Sequence, residues 1–425
     1  MEIPDAVRDD IESRANVVGT CRGPKRVGAR PTDEECLVVL VRRKVPKAQL
    51  DPGDVIPETV EIDGETVRTD VQEVGDLRSQ ATATRPAAPG RKERVRPAPA
   101  GVSLGHPEIT AGTLGSPPLE TEDGRTVVLT NAHVAAPIGE AETGDDVLQP
   151  GPADGGGDGD AIGTLAAYSE IDPDAPNTTD SALVAVDPDD VTGTVLGVGP
   201  FAGFAEPTTD ATYTKSGRTT GVTTGDLRGR DGRVRVGGYH EEPTVFEGVD
   251  VFGPMSAGGD SGSLIGIVEG GAFRATDLLF AGSDRSTIGA PIPAVEAEHG
   301  ELTPLSTGGT GDGGGGDGGG TGDGGDGGGS DGDAGFAAAV GRRLRAAYGE
   351  AAVEAGTDVA FRVEGPVRAA VAVAAAEGDL APAAGRAVAA AGPGVAPALA
   401  YPSGVESDAL DRIGGRVALV PVARE

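Results

Sequence analysis

Several residue types are scarce in this 425-residue sequence, which has no tryptophan, two methionines, two cysteines and only 3% aromatic residues. The two cysteines, Cys21 and Cys36, lie far from the segment that carries the candidate catalytic groups described below. No paired spacing of His, Cys or Asp matches a metal-ligand motif, so we expect neither a metal nor a cofactor.

Long hydrophobic runs are also absent from the sequence. No apolar stretch approaches the roughly 18 residues that a transmembrane helix requires, so no membrane partner is expected. The first ten residues, Met1-Glu-Ile-Pro-Asp-Ala-Val-Arg-Asp-Asp10, have neither the basic nor the apolar region of a signal peptide. We therefore expect a soluble, cytoplasmic protein.

Lysine is scarce as well. Of the 35 Lys and Arg residues only five are Lys, against 67 Asp and Glu, and the formal net charge is −32. A surface rich in carboxylates and poor in lysine suits a protein that stays soluble at high salt, where screening weakens the repulsion between like charges. The balance therefore predicts a halophilic protein, and it argues against nucleic acid as a partner.

The N-terminal residues 1–80 mix helix and strand patterns. Three apolar residues recur at four-residue spacing and predict a short amphipathic helix: Ile3, Val7 and Ile11. The run Cys36-Leu-Val-Val-Leu-Val41 predicts a strand. Residues 81–100 are rich in proline and basic side chains. We expect a small N-terminal α/β segment over 1–80 and an extended connection over 81–100.

The central residues 101–300 contain many short runs of Val, Thr and Leu, broken by Gly, Pro and Asp, with almost no helical periodicity. Short strands separated by frequent turns over such a length are typical of a sandwich or a barrel. This part of the chain is therefore predicted to be mainly β.

The chain continues through residues 301–335, where the stretch from Thr307 to Gly335 is nearly pure Gly and Asp. Calcium-binding nonapeptide repeats would need an apolar residue at a fixed position, and none is present, so a flexible linker is predicted. Residues 336–425 then combine apolar residues at helical spacing with two strand-like runs. We expect a small C-terminal α/β module tethered by the linker.

One central motif supplies a candidate nucleophile. Acyl transfer by serine needs a hydroxyl, a base, a group that orients the base and donors for the oxyanion. In Ala257-Gly-Gly-Asp-Ser-Gly-Ser263, small residues around Ser261 permit a tight turn in which the N–H groups of Gly259 and Ser261 converge. A plain β-turn is the alternative reading of this segment.

Two further motifs supply a candidate base and its orienting acid. His133 is one of four histidines and ends the strand-like run Leu129-Thr-Asn-Ala-His-Val134, where its ring could project into a cleft. A lone histidine is more often structural. Asp180 leads directly into the apolar strand of Asp180-Ser-Ala-Leu183, where its carboxylate could accept from the imidazole; a turn residue is the alternative.

The order of the three residues narrows the class of enzyme. His133 precedes Asp180 by 47 residues, and Asp180 precedes Ser261 by 81. The order His, Asp, Ser is that of chymotrypsin, whereas subtilisins run Asp, His, Ser and α/β-hydrolases run Ser, Asp, His. The segment from Gly259 to Ser263 also ends in Ser where the hydrolase motif Gly-x-Ser-x-Gly requires Gly.

With these motifs, residues 101–300 resemble the trypsin-like serine peptidases of the chymotrypsin fold. Thr130-Asn-Ala-His-Val134 is similar to the histidine motif of that family, Asp180-Ser-Ala-Leu183 to its aspartate motif, and Gly259-Asp-Ser-Gly262 to its serine motif. The resemblance implies a double β-barrel of two six-stranded barrels with the triad in the cleft between them, and a polypeptide substrate.

The flanking sequence resembles one branch of that family. The N-terminal segment, with Val95-Arg-Pro-Ala-Pro99 and Gly105-His-Pro107 after it, is similar to intracellular bacterial and archaeal relatives of the plant narrow-leaf type. Lys215-Ser-Gly-Arg-Thr-Thr-Gly221 resembles a segment of secreted bacterial members, which carry cysteines where this chain has Thr214 and Thr224. The loss of that disulfide fits a reducing cytoplasm.

The resemblance also implies two supporting roles near Ser261. Lys215 would pair with Asp260 and shape the oxyanion loop, and the alternative for the Lys215 segment is a plain turn between strands. The position at the base of the specificity pocket, six residues before the nucleophile, falls at Met255. Because Met255 is not acidic, we expect a medium or apolar side chain at P1, the residue whose carbonyl is attacked, rather than Arg or Lys.

The predicted function is that of a serine endopeptidase. The alternative is a barrel retained as a protein-binding scaffold with little turnover. A third possibility is a peptidase that acts only on itself, at exposed segments near Arg96 or Thr310.

Overall fold

The computed structural model describes residues 2–28, 30–80 and 90–305, and the backbone of five short strands between residues 353 and 422. The prediction of a mainly β fold is confirmed, because strands account for most of the regular structure in these residues. Helices are short: α1 (Asp5–Glu12), α2 (Ala132–Ala135) and α3 (Ile292–His299). Four single turns of 3₁₀ helix lie at Lys47–Gln49, Pro52–Asp54, Pro152–Asp154 and Pro188–Asp190.

The N-terminal part combines α1 with five strands. Their bounds are β1 (Val17–Val27), β2 (Arg30–Val41), β3 (Thr59–Ile62), β4 (Glu65–Glu73) and β5 (Arg78–Ser79). The predicted helix and the strand at 36–41 are confirmed. Ile3 and Ile11 are buried in one apolar cluster with Leu37 and Val39 of β2, and Val7 packs against it. The four-residue spacing therefore marked the face of the helix that packs on the sheet.

One six-stranded sheet forms the first body of the central part, in the order β11-β12-β13-β10-β9-β22. Its strands are β9 (Leu119–Thr121), β10 (Thr126–Thr130), β11 (Asp146–Leu148), β12 (Ala161–Tyr168), β13 (Ala182–Val186) and β22 (Leu302–Pro304). Two short strands, β7 (Ser103–Leu104) and β8 (Gly112–Thr113), pair with each other beside it. β22 lies at the start of the segment predicted as a linker.

A closed ring of six strands forms the second body, in the order β16-β17-β18-β21-β20-β19 and back to β16. Their bounds are β16 (Thr212–Gly217), β17 (Gly221–Val236), β18 (Thr244–Phe252), β19 (Leu264–Glu269), β20 (Ala272–Gly282) and β21 (Thr287–Pro291). Three more strands extend it beyond β20: β6 (Ala98–Ala100), β14 (Val191–Val195) and β15 (Gly199–Phe204). Because the ring is closed, each of these six strands is hydrogen-bonded to a neighbouring strand on both sides.

The N-terminal strands join this ring through β17. This strand is 16 residues long, and its first part pairs with β16 while its second part pairs with β1. β1 pairs in turn with β2, and β2 with β4 in parallel. The free cysteines Cys21 and Cys36 lie on β1 and β2, are buried, and pack in one apolar cluster. Burial raises the pKa of the Cys36 thiol to about 12, which keeps it protonated and unreactive.

The described part of the 81–100 connection begins at residue 90 and is tied down by one arginine. Arg91 is buried, and its guanidinium donates to the carbonyl of Gly101, to Ser216 Oγ and to the carbonyl of Leu196. Burial lowers the pKa of Arg91 to about 10. This basic residue of the connection therefore holds chain segments together.

A buried carboxyl lies inside the ring at Asp277 on β20. Burial raises its pKa well above the usual value, the nearby Asp250 raises it further, and Thr276 and Arg230 lower it less. Because the folded pKa exceeds the unfolded one, this group's contribution to stability is complete below the ordinary Asp pKa. It is lost as the pH rises through the raised folded value.

Asp277→Asn is therefore expected to raise the free energy of unfolding at pH 8 by about 1–3 kcal/mol, because a buried Asn is neutral without having to take up a proton. The gain should shrink toward pH 5. Urea denaturation from pH 5 to pH 8.5 measures it, with Asp146→Asn, at an exposed position of β11, as the matched control. A gain that does not grow with pH would contradict the assignment of a neutral Asp277.

The C-terminal unit spans residues 310–425. Its described strands form one five-stranded sheet, in sequence order. They are β23 (Val353–Ala355), β24 (Phe361–Val363), β25 (Ala369–Val373), β26 (Ala396–Pro402) and β27 (Ala418–Val422). β23, β24 and β25 pair antiparallel, and β25, β26 and β27 pair in parallel. The helix predicted from Phe336, Val340, Leu344 and Tyr348, and most of the predicted Gly/Asp linker, lie outside the described residues.

Candidate active site

His133 and Asp180 meet because their strands are neighbours. β10 ends at Thr130 and β13 begins at Ala182, and these two residues face each other in the antiparallel pair. His133 follows β10 within α2, and Asp180 stands just before β13. Side chains that flank paired strand ends lie close together, so the strand pairing itself brings the imidazole to the carboxylate.

The contact between these two residues involves both carboxylate oxygens. His133 Nδ1 hydrogen-bonds to Asp180 Oδ2, and the His133 main-chain N–H donates to Asp180 Oδ1 at 3.2 Å. Asp180 is fully buried and His133 is 6% exposed. Asn131 Nδ2 donates to the Asp180 carbonyl at 2.6 Å and fixes the start of the Asp180 segment. The arrangement orients the ring with Nδ1 inward and leaves Nε2 for chemistry.

Tyr239 also contacts this pair, a contact that no sequence pattern predicts. Its hydroxyl donates to Asp180 Oδ2 at 2.5 Å, and its ring packs edge-on against His133 with centroids 5.7 Å apart. Burial and the Asp180 carboxylate raise the pKa of Tyr239 well above its usual value, so the hydroxyl remains a donor. Tyr239 reaches Asp180 from the segment between β17 and β18, and no local pattern around Gly237-Gly-Tyr239 reveals that contact.

Tyr239→Phe is expected to lower kcat by about 10- to 100-fold, the effect of removing a hydrogen bond to a charged group. KM should stay unchanged, because the hydroxyl supports Asp180 and touches no substrate. Steady-state kinetics separates the two parameters. Tyr168→Phe is the matched control, since the Tyr168 hydroxyl donates to the Ala141 carbonyl. An unchanged kcat in Tyr239→Phe, or a loss confined to KM, would contradict this positioning role.

Ser261 lies in the loop between β18 and β19. Gly259 and Gly262 on either side have φ of +93° and +91°, a conformation that side chains rarely adopt, which explains the glycine-rich motif. The loop packs on the end of β10: a Cβ on Gly262 would stand 2.4 Å from Thr130 Oγ1. The Ser261 loop and the His133 segment therefore meet at one place in the fold.

The hydroxyl of Ser261 is not turned toward the imidazole. Ser261 Oγ donates to the Phe280 carbonyl at 3.4 Å, and His133 Nε2 has no hydrogen-bond partner among the described residues. The structure thus joins His133 to Asp180 by hydrogen bonds and leaves Ser261 unbonded to His133. Because the hydroxyl has one proton to donate, forming that bond requires Ser261 Oγ to leave the Phe280 carbonyl.

The predicted oxyanion donor Gly259 is engaged within the chain. Its N–H donates to the carbonyl of Gln80 at 2.7 Å. The Gly259 carbonyl accepts from Thr113 Oγ1 at 3.0 Å, and the Ser261 carbonyl accepts from the Thr113 N–H at 2.8 Å. Thr113 of β8 therefore holds the main chain of the loop, and the Gly259 N–H is occupied by the Gln80 carbonyl.

Asp260 and Lys215 form an ion pair under the loop, and both side chains are fully buried. Lys215 Nζ donates to Asp260 Oδ2 at 3.1 Å, to Thr220 Oγ1 and to the Gly221 carbonyl at 3.1 Å. Asp260 also accepts from the main-chain N–H groups of Thr219 at 2.8 Å, Thr220 at 3.0 Å and Ala257 at 3.0 Å. Burial lowers the pKa of Lys215, and Asp260 opposes this effect. The pair ties the Ser261 loop to the hairpin of β16 and β17.

Lys215→Ala is expected to cost about 3–5 kcal/mol of unfolding free energy, because it leaves a buried carboxylate without its cation. The loosened loop should also lose hydrolytic activity while the fold survives. Urea denaturation and a peptide hydrolysis assay check the two effects. The double variant Lys215→Ala/Asp260→Asn should recover part of the stability, and a single variant as stable and active as wild type would contradict this role.

The structure also describes the other positions singled out in the sequence, Thr214, Thr224 and Met255. Thr214 and Thr224 face each other across β16 and β17, as the residues of a cross-strand disulfide would. Met255 is buried in an apolar cluster with Tyr213, Leu227 and Phe252. Its main chain is held by Thr287 Oγ1, which accepts from the Met255 N–H at 3.1 Å.

No group of three or more potential metal-ligating side chains occurs in the described ranges. Among the same residues no helix is long and apolar enough to cross a membrane.

The chain is similar to known proteins only at the level of solved structures. No family model and no curated protein matches the chain. Among solved structures, Thermobifida fusca protease A is similar at 21% identity, with a TM-score of 0.36, over 48% of this chain and 98% of that chain. Nocardiopsis protease is similar at 16% identity, with a TM-score of 0.35, over 48% and 98%. Cellulomonas bogoriensis chymotrypsin is similar at 18% identity, with a TM-score of 0.34, over 49% and 98%.

Proposed function

We propose that the chain is a serine endopeptidase of the chymotrypsin-like double-barrel type, with His133, Asp180 and Ser261 as its triad. The observation that carries this proposal is the buried pair of His133 and Asp180, in which His133 Nε2 has no hydrogen-bond partner among the described residues, together with the glycine-flanked Ser261 loop that packs on the end of β10. A structural histidine normally satisfies both ring nitrogens when buried, so an unpartnered Nε2 favours a chemical role.

The mechanism follows from the atoms that meet. After Ser261 Oγ turns from the Phe280 carbonyl to His133 Nε2, the imidazole takes its proton as Oγ attacks a peptide carbonyl carbon. Asp180 holds the ring and stabilises the imidazolium. Once the Gln80 carbonyl has left the Gly259 N–H, the N–H groups of Gly259 and Ser261 donate to the oxyanion. His133 then protonates the leaving amine, and a water molecule, deprotonated by the same ring, hydrolyses the acyl ester and regenerates Ser261.

A second candidate function has one observation in its favour. In a protein-binding scaffold the three triad residues need not align. Here Ser261 Oγ is hydrogen-bonded to the Phe280 carbonyl and not to His133. The two functions differ in whether Ser261 reacts: a scaffold retains binding but forms no covalent serine adduct.

Hydrolysis of an unfolded protein substrate at high salt tests the peptidase proposal. We expect peptide fragments from the wild type and none above background from His133→Ala. His299→Gln is the matched control, because His299 Nε2 contacts Ser181 Oγ at 2.8 Å and has no role in the mechanism. Equal fragment yields from wild type and His133→Ala would overturn the proposal.

We further propose that the protein works in a salt-rich cytoplasm, on the basis of its net charge of −32. Activity that rises with salt up to molar concentration would support this, and activity highest at low salt would oppose it.

A further inference from the structure

A short stretch of the N-terminal part lies in the candidate active site as an added strand. β5 pairs antiparallel with β20, in a register that places Ser79 opposite Ala281 and Arg78 opposite Gly282. β20 ends at Gly282, two residues after the Phe280 carbonyl that accepts from Ser261 Oγ. The added strand therefore runs along the rim next to the nucleophile.

The same stretch is also paired on its other side. The Gly237 N–H donates to the Leu77 carbonyl at 3.0 Å, and the Ser79 N–H donates to the Gly237 carbonyl at 2.9 Å. Gly237 lies two residues before Tyr239, which contacts Asp180. The strand is thus hydrogen-bonded to β20 on one side and to Gly237 on the other. A peptide bound by β-augmentation is held by main-chain hydrogen bonds in the same way.

Gln80 directly follows this strand and contacts the Ser261 loop. Its N–H donates to the Phe280 carbonyl at 3.4 Å, and its carbonyl accepts from the Gly259 N–H at 2.7 Å. An oxyanion donor lies within hydrogen-bond distance of the position where the oxyanion develops, and the carbonyl oxygen of a bound P1 residue stands next to that position. Gln80 thus occupies the P1 position, with Ser79 and Arg78 at P2 and P3.

The Gln80 side chain is buried, with 6% of its surface exposed. Its Nε2 lies beside Gly282, where a Cβ would stand only 2.6 Å from it and 3.2 Å from Ser256 Oγ. Ser256 Oγ is itself hydrogen-bonded to Thr287 Oγ1 at 2.8 Å. The lack of a side chain at Gly282 makes room for the carboxamide, and the surrounding atoms are hydroxyls and main chain.

We propose that Arg78, Ser79 and Gln80 occupy the acyl-side subsites as a tethered competitor, and that the P1 pocket selects glutamine. The proposal rests on the proposed function and names its substrate class: polypeptides with Gln at P1. It differs from the expectation of an apolar P1 residue over Met255, because the Gln80 side chain lies against Ser256 and Gly282.

Glutamine fits this pocket better than the charged alternatives for a physical reason. A buried glutamate or arginine would need a partner of opposite charge, and an ion without one costs several kcal/mol to bury. The carboxamide is neutral, so its buried Oε1, which has no hydrogen-bond partner among the described residues, costs less to bury than an ion would. A phenyl ring would bring no polar atom to the Ser286 carbonyl and the Ser256 hydroxyl, which lie beside Gly282.

A tethered competitor weakens binding of any outside peptide. Because Gln80 belongs to the same chain, its effective concentration at the pocket is on the order of millimolar or higher. An outside peptide must displace it, so removing the Gln80 side chain should strengthen outside binding.

Binding of a fluorescent peptide ending in Arg-Ser-Gln, followed by anisotropy in the Ser261→Ala background, tests the proposal without turnover. We expect Gln80→Gly/Ser261→Ala to bind this peptide at least tenfold more tightly than Ser261→Ala alone. Gln49→Gly/Ser261→Ala is the matched control, because Gln49 is exposed in the 3₁₀ turn Lys47–Gln49 and lies outside the stretch that fills the subsites. It should bind as Ser261→Ala does.

Peptides ending in Glu, Arg or Phe test the pocket in the same assay. We expect each to bind Gln80→Gly/Ser261→Ala at least tenfold more weakly than the Gln peptide. Equal affinity of the Gln peptide for the proteins with and without Gln80, or tighter binding of the Glu, Arg or Phe peptide, would overturn the proposal. Labelling of Ser261 by a fluorophosphonate, which needs no P1 residue, reports separately on the proposed function.

Discussion

Ser261→Ala is expected to lower kcat for peptide hydrolysis by about 10⁴- to 10⁶-fold, the range found when a triad nucleophile is removed. The methyl group cannot attack the carbonyl, and only oxyanion and substrate binding remain. Single-turnover kinetics on a peptide with Gln at P1 measures the loss. The fold should be unaffected, because Ser261 Oγ makes one long hydrogen bond, to the Phe280 carbonyl at 3.4 Å.

Ser103→Ala serves as the matched control for this change. Ser103 is equally buried, and its Oγ accepts from the Gly151 N–H at 3.1 Å without touching the triad. Its kcat should stay within a fewfold of wild type. Retention of wild-type activity by Ser261→Ala would mean that another group is the nucleophile and would remove the basis of the mechanism.

Asp180→Asn is expected to lower kcat by about 10⁴-fold. A carboxamide at this position can turn its NH₂ toward His133 Nδ1, which then holds the imidazole with its proton on Nε2. That tautomer cannot accept the Ser261 proton. The carboxamide would also disturb the acceptor sites now used by the His133 N–H and the Tyr239 hydroxyl.

The kcat measured across pH checks this prediction, with Asp277→Asn as the isosteric control in a buried carboxyl of the second body. Asp277→Asn should leave kcat unchanged. A loss of less than about tenfold in Asp180→Asn, with the fold intact, would contradict the role of Asp180 in selecting the tautomer.

The sequence predicted the parts of the site that have local patterns. His133, Asp180 and Ser261 stand in short motifs, and the first two follow or precede strands whose pairing places them together. The pairing of Lys215 with Asp260 came from the resemblance of one segment to a known family, and the two side chains are in contact. These residues could be predicted from the sequence because each motif combines a reactive group with the strand end or turn that presents it.

The contacts that were missed depend on tertiary register. Tyr239 has no distinguishing neighbours in sequence, and its contact with Asp180 spans 59 residues. β5 is only two residues long, too short for a periodic pattern, and its place follows from pairing with β20 and Gly237. Gln80 at the Gly259 N–H therefore could not be read from composition or spacing.

Covalent labelling of Ser261 by a fluorophosphonate probe at high salt tests the central claim most directly. Wild type, Gln80→Gly and Ser261→Ala would be compared, with the adduct located by peptide mass spectrometry. We predict an adduct on Ser261 in wild type, faster formation in Gln80→Gly, and none in Ser261→Ala. If wild type and Gln80→Gly are both folded and both remain unlabelled, the result would contradict a serine peptidase and favour the scaffold.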